Sequence, residues 1–588
     1  MENWRLKTLK IDTKEFIKEL NISPITARVM ANRGIHTLED ANMYINSDIS
    51  RLRNPRKIKD IEKGAKLLKE GIQSNKKILI VGDYDVDGVI SSYVLYTGLK
   101  RCSADVTYHI PDRIIDGYGI NESIIRNAKN NNVDIIITCD NGIAAIEQIA
   151  LAKELGITVI ITDHHDVPYI ELENGEKEYT LPPADAVINP KQNDCKYEFD
   201  RLCGAGVAFK FIQVLYEEMN INIKEAEKLI QFVAIATVCD VVDLIDENRI
   251  IVKKGLEQLN NTDNLGLSYL IEETGLKDRE IAVYALGFVI GPCINASGRL
   301  DYAGVALDLL LTENKDEAKE LAVKLNLLNE ERQKLTKEGL EASIHQIQAN
   351  NMTQDKKVLV VYMPNIHESI AGIIAGRVRE KFNLPAIVLT KAHDGAKGSG
   401  RSIEEYNMFE ELVKCKDLLG KFGGHPMAAG MSIPTENIDT FRNLINQNCT
   451  LTDEDIIPKV FIDVPLNISN ISYELIKELK LLEPFGKANA KPTFGAKNLR
   501  VKQLRILGKN KNVLKLTLQE NDIYIDAIYF GDIEKFVETF IDKYGEQEYE
   551  KTSIGRGSMA SIDLVYYPEI NEFRGQKSIQ LNVSNYRL

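Results

Sequence analysis

The sequence has few cysteines for its 588 residues, and none of the eight stand in a C-x-x-C pair. This excludes a zinc ribbon and a thioredoxin-like redox motif, so the cysteines are expected to be reduced and mostly buried. No apolar run approaches the length of a membrane span, and the charged residues 1–16 lack the apolar core of a signal peptide. We therefore predict a cytoplasmic protein without a membrane segment.

Positive charge is not in excess either. The formal net charge is −13, so the whole chain carries no basic field that would attract nucleic acid. A polyanionic ligand would have to meet local basic patches or bound metal ions. Internal repeats and low-complexity tracts are not evident, and the length predicts roughly three or four domains.

Short β-branched runs alternate with helical stretches after a first region that is polar and looks helical. The runs are KILIV, DVTYHI, VDIIIT and ITVIIT, at 77–81, 105–110, 133–138 and 157–162. Strands at this spacing, with helices between them, are typical of a parallel sheet built from βαβ units. The predicted fold class is therefore α/β.

Two further parts follow a mostly helical region that begins near Gly204. Residues 313–350 contain no proline and one glycine, and their charged amphipathic pattern predicts a long connecting helix. A second α/β unit begins at residues 357–363, KVLVVYM, and from Phe461 on the alternation of strand-like runs and turns predicts a small β-barrel. The predicted domains are 1–75 (helical), 76–312 (first α/β), 313–352 (connecting helix), 353–455 (second α/β) and 456–588 (barrel).

Acidic and histidine residues follow three of the predicted strands. The strands lead into Asp83-Tyr84-Asp85-Val86-Asp87-Gly88, into Cys139-Asp140, and into Asp163-His164-His165. Parallel strands end at one edge of their sheet, where open α/β proteins bind ligands, so these side chains are expected to converge. A further acidic pair, Asp240 and Asp243, follows the helical run AIATVC and could complete the site.

Carboxylates packed this closely repel one another, and a cation relieves the repulsion. Oxygen ligands with imidazoles suit Mn²⁺ or Mg²⁺, and two such ions can promote in-line displacement at a phosphoryl group. Residues 83–88 also resemble the start of a calcium loop, but that loop needs a preceding helix and a glutamate where this chain has Val94. A single acid after a strand, such as Asp140, is often only a helix cap, whereas adjacent histidines favour a metal.

Candidate phosphate contacts occur in three other places. The hexapeptide KGSGRS at 397–402 combines two glycines, which let the backbone approach a phosphate, with hydroxyl and guanidinium donors. A flexible loop with a solvated arginine is the alternative. Arg113, which follows a predicted strand, could contact a scissile phosphate, and His425, on a glycine-rich turn, could face the substrate or be a structural turn residue.

The order of these motifs resembles the DHH family of phosphoesterases, and in its details the RecJ family of single-strand-specific exonucleases. The motifs are DYDVDG, IPDR, CDNGI, TDHH and ATVCDVV, followed by INASGRL, GSGRS, FGGHPMAAG and LEPFG. The resemblance implies a DHH domain, a long helix, a DHHA1 domain and a C-terminal OB-fold. The chain departs from the family at residues 365–369, NIHES, where many relatives carry tryptophan-histidine-x-glycine.

The resemblance also implies roles for individual residues. The ligands of two Mn²⁺ or Mg²⁺ ions would be Asp85, Asp87, Asp140, His164 and Asp240. The catalytic residues beside the metals would be Asp83, His165 and Arg113. The substrate-binding residues, of which the first three would hold a terminal 5′ phosphate, would be Arg299, Ser399, Arg401 and His425.

The implied activity is metal-dependent 5′-to-3′ hydrolysis of single-stranded DNA to 5′-mononucleotides, in DNA repair and recombination. Implied partners are single-stranded DNA, a single-strand-binding protein and a helicase, with no membrane. Two alternatives stay open: another DHH hydrolase that acts on nanoRNA, cyclic dinucleotides or pyrophosphate, and a non-catalytic replication factor that binds DNA. The first kind generally lacks the N-terminal region and the barrel, and the intact acids and histidines argue against the second.

Overall fold

The structure is a computed structural model that describes residues 2–8, 11–113, 115–172, 175–556 and 558–588. Two compact units make up the chain. The first comprises Met1–Arg51, Asp243–Ile250 and Pro458–Leu588, and the second comprises Leu52–Val242 and Ile251–Ile457. None of the described helices has both the length and the apolar character needed to cross a membrane.

The chain begins with a short strand and three helices, β1 Asn3–Leu6, α1 Lys14–Leu20, α2 Pro24–Ala31 and α3 Leu38–Ile45. The side chains of Ser23 and Thr37 accept hydrogen bonds from the first turns of α2 and α3, which is the usual way a helix begins. Strand β1 pairs in parallel with a strand near residue 460. The N-terminal region was predicted to be helical, and β1 is an addition that depends on this distant partner.

The first α/β part contains a five-stranded sheet. Its elements are α4 Ile61–Gln73, β2 Lys77–Val81, α5 Val86–Arg101, β3 Asp105–His109, α6 Glu122–Asn130, β4 Ile135–Cys139, α7 Ile146–Glu154, β5 Thr158–Thr162, β6 Tyr169–Glu171, β7 Lys177–Tyr179 and β8 Ala186–Ile188. The strand order is β3-β2-β4-β5-β8 and every pairing in it is parallel, while β6 and β7 form a separate hairpin. Strands β2, β4 and β5 are almost wholly buried, which explains their unbroken apolar sequences. The predicted parallel sheet is confirmed.

A helical region follows the sheet. Its helices are α8 Gly204–Glu218, α9 Ile230–Cys239, α10 Asp246–Leu259, α11 Leu265–Glu273, α12 Val283–Ala285, α13 Gly291–Leu300 and α14 Gly304–Leu311. One π-helical turn, Leu286–Ile290, connects α12 to α13 without a break. Helix α9 is buried along almost its whole length, and Asp240 follows directly after its last residue, so a buried apolar helix positions this acidic residue.

A single helix of 35 residues, α15 Lys315–Ala349, leads to the second α/β part, and at 1.5 Å per residue it is about 52 Å long. It contacts α11, α13 and α14 before it reaches that part. A methyl group at Gly339 would lie 2.6 Å from the side chain of Ile374, so glycine permits the close approach there. The predicted connecting helix is confirmed.

The second α/β part carries a five-stranded mixed sheet. Its elements are α16 Met352–Asp355, β9 Leu359–Tyr362, α17 Ala371–Phe382, β10 Ala386–Ala392, β11 Gly395–Arg401, α18 Met408–Val413, β12 Phe422–His425, β13 Ala428–Ile433 and α19 Ile438–Asn448. The strand order is β12-β13-β11-β10-β9, and only β9 and β10 run parallel. Ser399 and Arg401 lie two residues apart on β11 and therefore share one face of the sheet.

The C-terminal part is a barrel. Its elements are β14 Lys459–Ile462, β15 Val464–Pro465, α20 Tyr473–Lys480, β16 Phe494–Leu507, β17 Val513–Glu520, β18 Ile523–Tyr529, α21 Ile533–Tyr544, α22 Glu546–Ser553, β19 Ser561–Phe573 and β20 Gln576–Arg587. Strands β16, β17, β18, β20 and β19 are neighbours in this order, and the ring closes because β16 also pairs with β19. The predicted barrel is confirmed. Its core includes side chains from the N-terminal helices, such as Phe16 and Met30.

Candidate metal centre and phosphate cavity

The acidic and histidine residues of three strand ends lie together at one edge of the parallel sheet. Strands β2, β4 and β5 are neighbours, so the residues that follow them emerge side by side. The ring atom Nε2 of His164 lies 3.0 Å from Oδ1 of Asp140 and 3.6 Å from Oδ2 of Asp87, and its Nδ1 lies 3.8 Å from Oδ2 of Asp240. Helix α9 thus brings a fourth segment to the same cluster.

Three overlapping groups in the cluster have ligand atoms within 4.8 Å of one another. They are Asp140 with His164 and His165, Asp87 with His164 and Asp240, and Asp83 with Asp85 and Asp140. Asp140 belongs to two of the groups and His164 also belongs to two. Residues shared in this way would take part in both of two neighbouring cation sites.

Backbone N–H groups hold the acids of α5 in place. Asp85 caps this helix by accepting a hydrogen bond from the Gly88 N–H at 3.1 Å. Asp87 accepts hydrogen bonds from the N–H groups of Gly204 and Ala205, at 2.6 and 2.8 Å, so the start of α8 also orients it. A side chain at Gly204 would lie 2.7 Å from Cβ of Asp140, so the close approach of α8 requires glycine.

Asp163 positions the two histidines rather than facing the cluster itself. Its carboxylate accepts hydrogen bonds from the N–H groups of Ile143, His164 and His165. It also contacts Nδ1 of His165 at 2.8 Å. A carboxylate that forms a hydrogen bond with an imidazole fixes the orientation of the ring, as it does for many metal-binding histidines.

The charges of the cluster are unfavourable without a cation. Burial and the neighbouring Asp85 carboxylate hold the pKa of Asp83 well above its usual range, and burial together with Asp87 raises the pKa of Asp85. Burial and the acids around it hold the pKa of Asp140 well above its usual range. Burial and Asp87 raise the pKa of Asp240 to about 8. Each shift follows from burial and from repulsion among the carboxylates.

The two histidines differ in their electrostatics. Burial lowers the pKa of His164, which keeps its imidazole neutral and able to act as a ligand. Burial disfavours the charged form of His165, but the hydrogen bond and charge of Asp163, together with the charges of Asp240 and Asp87, outweigh that effect and raise the pKa of His165 to about 9. Burial alone would raise the pKa of Asp163, but His165, His164 and the Ile143 N–H together outweigh it, so the pKa is lowered.

The donor set fits a hard divalent cation. Among the described residues, Oδ1 of Asp83, Oδ1 of Asp140 and Nε2 of His164 have no hydrogen-bond partner, although all three atoms are buried. The last two lie 3.0 Å apart but without the alignment of a hydrogen bond. Buried polar atoms left unpaired cost free energy, and carboxylate oxygens with imidazole nitrogens are ligands that Mn²⁺ and Mg²⁺ accept.

Mn²⁺ is expected to raise the melting temperature of the metal-free protein steadily with the logarithm of its concentration. A ligand that binds only the folded state stabilises it by about 2.7 kcal/mol at a hundredfold excess over its Kd. Differential scanning calorimetry over a Mn²⁺ titration checks this, with NaCl at matched ionic strength as the control. An equal rise with NaCl would show that salt merely screens the acids and would refute a specific site.

A cationic cavity of about 540 Å³ adjoins the acidic cluster. Its polar and charged lining residues include Tyr84, Arg113, Arg299, Glu368, Ser369, Lys397, Ser399 and Arg401. Residues from β11 and the start of α17 form one wall, and Tyr84, which lies between two acids of the cluster, belongs to the other. Glu368 pairs with Lys397 at 3.1 Å, which leaves the three arginines as the cavity's excess charge.

Short contacts hold the arginines of this cavity. Nη1 of Arg401 donates to Oγ of Ser399 and to the carbonyl of Gly400, both at 2.8 Å. Nη1 of Arg299 donates to the Ser369 carbonyl at 2.5 Å, and Arg113 stacks over the ring of Tyr84 at 4.7 Å. The guanidinium groups are therefore aimed at the cavity in advance of any ligand.

The surroundings of two of these arginines disfavour their positive charge. Burial, with the nearby guanidinium groups of Arg113 and Arg332, lowers the pKa of Arg299 to about 10. Burial, with Arg379, lowers the pKa of Arg401. The start of α17, a helix of 12 residues, also lines the cavity, and helix N-termini favour anions. An anion of high charge would satisfy all of these groups together.

Two of the predicted residues are neither in the described groups of candidate ligands nor in the described lining of the cavity. His425 is exposed at the end of β12 and is not among the residues that line the cavity in the described part of the chain. Its charge adds to that of Lys191 in lowering the pKa of Asp166. Asp243 pairs with Lys487 at 3.6 Å.

Several residues have a part in the site that was not assigned to them from the sequence. Tyr84 and Ser369 line the cavity, and Asp163 orients His165. Asn141 donates to the carbonyls of Val81, Gly82 and Cys139, which ties the ends of β2 and β4 together. The position of Asn141 directly after Asp140 was the one available signal, and it is equally typical of an ordinary turn.

Family models match three successive parts of the chain. The DHH family N-terminal domain matches residues 77–237, the DHHA1 domain matches residues 355–450, and the RecJ OB domain matches residues 462–585. The match to the first model covers strands β2 to β8 and most of helix α9, and so includes the three strand ends of the acidic cluster.

Curated relatives are similar along almost the whole chain. The protein named single-stranded-DNA-specific exonuclease RecJ of Bacillus subtilis is 37% identical, over 97% of this chain and 69% of its own. The protein of the same name from Haemophilus influenzae is 32% identical, over 95% of each chain.

Solved structures agree with this similarity. The crystal structure of RecJ from Thermus thermophilus in complex with Mn²⁺ has a TM-score of 0.82 and 26% identity, and the match covers 100% of this chain and 79% of that one. A crystal structure of exonuclease RecJ bound to manganese has a TM-score of 0.58 and 30% identity, over 68% of this chain and 96% of that one. Because the similarity extends through all the parts that carry and surround the site, the chain belongs to the RecJ family of DHH phosphoesterases.

Proposed function

We propose that the protein is a metal-dependent exonuclease that removes 5′-mononucleotides from the 5′ end of single-stranded DNA. One observation carries the proposal: the segment Asp83–Asp87 supplies acids of the cluster and also Tyr84 of the cationic cavity. A terminal phosphate in that cavity lies beside the cluster. An enzyme that holds a chain end next to its cleavage centre removes short units from that end. The names of the relatives support single-stranded DNA as the substrate.

The proposed ligands of two cations are Asp85, Asp87, Asp140, His164 and Asp240. When bound there, Mn²⁺ or Mg²⁺ activates water and stabilises negative charge on the phosphate. The crystal structures of RecJ with Mn²⁺ and Mg²⁺ support the choice of ion.

The remaining catalytic roles belong to side chains of the same edge. Asp83 accepts the proton of the attacking water in this scheme. His165, oriented by Asp163, and Arg113 donate hydrogen bonds to the oxygens of the scissile phosphate. The fixed ring of His165 supports its role, because a donor that is oriented in advance needs little rearrangement during the reaction.

The cavity is the proposed pocket for the terminal 5′ phosphate. Arg299, Ser399 and Arg401 would donate charge-assisted hydrogen bonds to it, which are stronger than those between neutral groups. His425 is exposed, and it would contact the strand only at a distance from this pocket. A terminal phosphate carries more negative charge than an internal diester, so the pocket selects a chain end.

We also propose the setting in which the activity is used. The protein would act in the cytoplasm, in DNA repair and recombination, on strands supplied by a helicase and covered by a single-strand-binding protein. The domain boundaries 76–312, 353–455 and 456–588 each contain one matched family region, which supports them. Residues 1–51 share a core with the barrel and would fold together with it.

Comparing a 5′-phosphorylated single strand with the same strand in a blunt duplex, in Mn²⁺, tests the function. We expect the single strand to be degraded faster, because each base pair that must open costs about 1.4 kcal/mol, roughly tenfold in rate. A 5′ label should appear first in a mononucleotide, whereas a 3′ label should remain on a slowly shortening strand. Equal rates on both substrates, or internal fragments as first products, would contradict the proposal.

A further inference from the structure

Two aromatic rings stand exposed on the helical run that continues from α12 into α13. Tyr284 and Phe288 are 69% and 62% exposed, and their rings stack with centroids 4.8 Å apart and planes 20° from parallel. Single exposed aromatic residues are common on protein surfaces, but a preformed stack with an open face is a surface that can take a further flat ring.

The backbone below these rings is unusual. Phe288 lies in the π-helical turn Leu286–Ile290, and Tyr284 lies one turn before it. A π-helical turn is wider than an α-helical one, so the angle between two side chains four residues apart differs from that in an α-helix. Here the turn occurs together with the stacking of Tyr284 and Phe288. Single π-helical turns inside α-helices frequently occur at functional sites.

This turn packs against the helix end that carries Asp240. The Sγ atom of Cys239 contacts the Leu286 carbonyl at 3.4 Å, and a side chain at Gly291 would lie 2.3 Å from the same sulfur. Val238 lies near Gly287 in the middle of the turn. The turn that carries the exposed rings therefore packs against the helix end that precedes Asp240 of the acidic cluster.

The other end of the same helical run reaches the phosphate cavity. Gly298 packs against the carbonyl of Tyr84, and Arg299 lines the cavity. Eleven residues separate Phe288 from Arg299, which is roughly 16 Å along a helix at 1.5 Å per residue. Along this run the order is thus the cavity, then the acidic cluster, then the aromatic pair.

We propose that Tyr284 and Phe288 form a stacking platform for a base of the DNA strand that lies on the 3′ side of the scissile phosphate, beyond the second nucleotide. The inference rests on the proposed function, because that function puts the 5′ phosphate in the cavity and the scissile phosphate at the acids. The rest of the strand then leaves on the side away from the cavity, where the rings stand. Base–aromatic stacking tolerates any sequence, since every base presents a flat face.

The continuity with the cleavage site favours a base over a protein partner as the occupant. A protein partner on these rings would lie across the path of the strand. Stacking requires an aromatic ring, whereas an apolar protein contact requires only an apolar side chain. The variants Phe288→Ala, Phe288→Leu and Phe288→Trp therefore separate the two.

The experiment measures kcat/KM in Mn²⁺ on a long 5′-phosphorylated thymidine strand and on a 5′-phosphorylated dinucleotide, which is too short to reach the rings. We expect Phe288→Ala and Phe288→Leu to lower the value for the long strand by about tenfold, and Phe288→Trp to retain it. The dinucleotide should be cleaved equally by all four proteins. Retained activity on the long strand in Phe288→Leu, or an equal loss on both substrates, would overturn the proposal.

An abasic scan gives a second readout. A single abasic nucleotide is moved stepwise along the strand, and for wild type we expect one position 3′ of the first phosphate at which kcat/KM falls. That minimum should disappear in Phe288→Ala, because the stacking partner is already lost. A flat profile in the wild type would overturn the platform. A wild type that cleaves neither strand nor dinucleotide would instead refute the proposed function itself.

Discussion

Replacing Asp140 with asparagine is expected to lower kcat on a 5′-phosphorylated single strand by on the order of a thousandfold, which corresponds to about 4 kcal/mol of transition-state stabilisation. Asp140 belongs to two of the three groups of candidate ligands, so its loss affects both cation positions. Its buried Oδ1 atom lacks a hydrogen-bond partner in the described part of the chain, which leaves it available to a metal. An amide keeps the size of the side chain but removes the charge.

The same substitution should not destabilise the metal-free protein. The pKa of Asp140 in the folded state lies well above its usual range, so the folded protein holds a proton more tightly than the unfolded chain. The proton on Asp140 therefore stabilises the folded state at low pH. This stabilisation is lost as the pH rises from about 4, the pKa in the unfolded chain, through the higher pKa of the folded state. Metal-free Asp140→Asn should therefore be at least as stable as wild type at neutral pH, while the stabilisation by Mn²⁺ disappears.

Asp105→Asn is the matched control, because Asp105 is an exposed acid on β3 of the same sheet. It should leave kcat, the unfolding free energy and the response to Mn²⁺ unchanged. Chemical denaturation with and without Mn²⁺, beside a nuclease assay, provides all three values. Wild-type turnover in Asp140→Asn would show that this acid is no metal ligand, and a large loss of metal-free stability would show that it is a structural residue.

The site residues at the strand ends could be predicted from the sequence because two simple rules apply to them. Strands buried on both faces have unbroken apolar sequences, as in Ile135–Cys139, and polar residues directly after them lie at the ligand-binding edge. The convergence of Asp83, Asp140 and His164 follows from that geometry alone. Asp240 could be suspected from its place after an apolar helix, but only the packing of α9 shows that it reaches His164.

Features that depend on contacts between distant segments were not predictable. Strand β1 exists because Asn3–Leu6 pairs with Lys459–Ile462. Four residues are too few for an alternation of apolar and polar side chains to predict a strand. The orienting role of Asp163 depends on its hydrogen bond with His165. From the sequence alone, Asp163 is equally suited to bind a metal. The exposed stack of Tyr284 on Phe288 depends on a π-helical turn, for which the local sequence has no signal.

Replacing Arg401 with alanine is expected to lower kcat/KM for 5′-phosphorylated strands by roughly 10- to 150-fold, while 5′-hydroxyl strands change much less. A charge-assisted hydrogen bond is worth about 1.5–3 kcal/mol, and that range gives the expected factor. Arg401 is held by Ser399 and by the Gly400 carbonyl, so its guanidinium is oriented before the phosphate arrives. A 5′-hydroxyl strand has no terminal phosphate, so it does not make this contact and is little affected when Arg401 is removed.

Gly372→Ala tests the same pocket without removing a charge. A methyl group at Gly372 would lie 2.8 Å from Nη2 of Arg401 and 2.9 Å from Oγ of Ser399, so it would displace both donors. Gly376→Ala is its control on the same helix, because the nearest atom there, in Arg401, is 4.0 Å away. We expect Gly372→Ala to reproduce the selective loss of Arg401→Ala, and Gly376→Ala to behave as wild type.

The measured quantity is the ratio of kcat/KM for the two end groups in each variant. A terminal phosphate that sits in the cavity fixes which internal phosphate lies at the acids, so a remote contact controls the site of cleavage. Losing it should therefore reduce the ratio and also make the first product less uniform in length. If Arg401→Ala lowers kcat/KM equally for both substrates, the arginine contacts the backbone of the strand in general, and the cavity does not recognise the 5′ end.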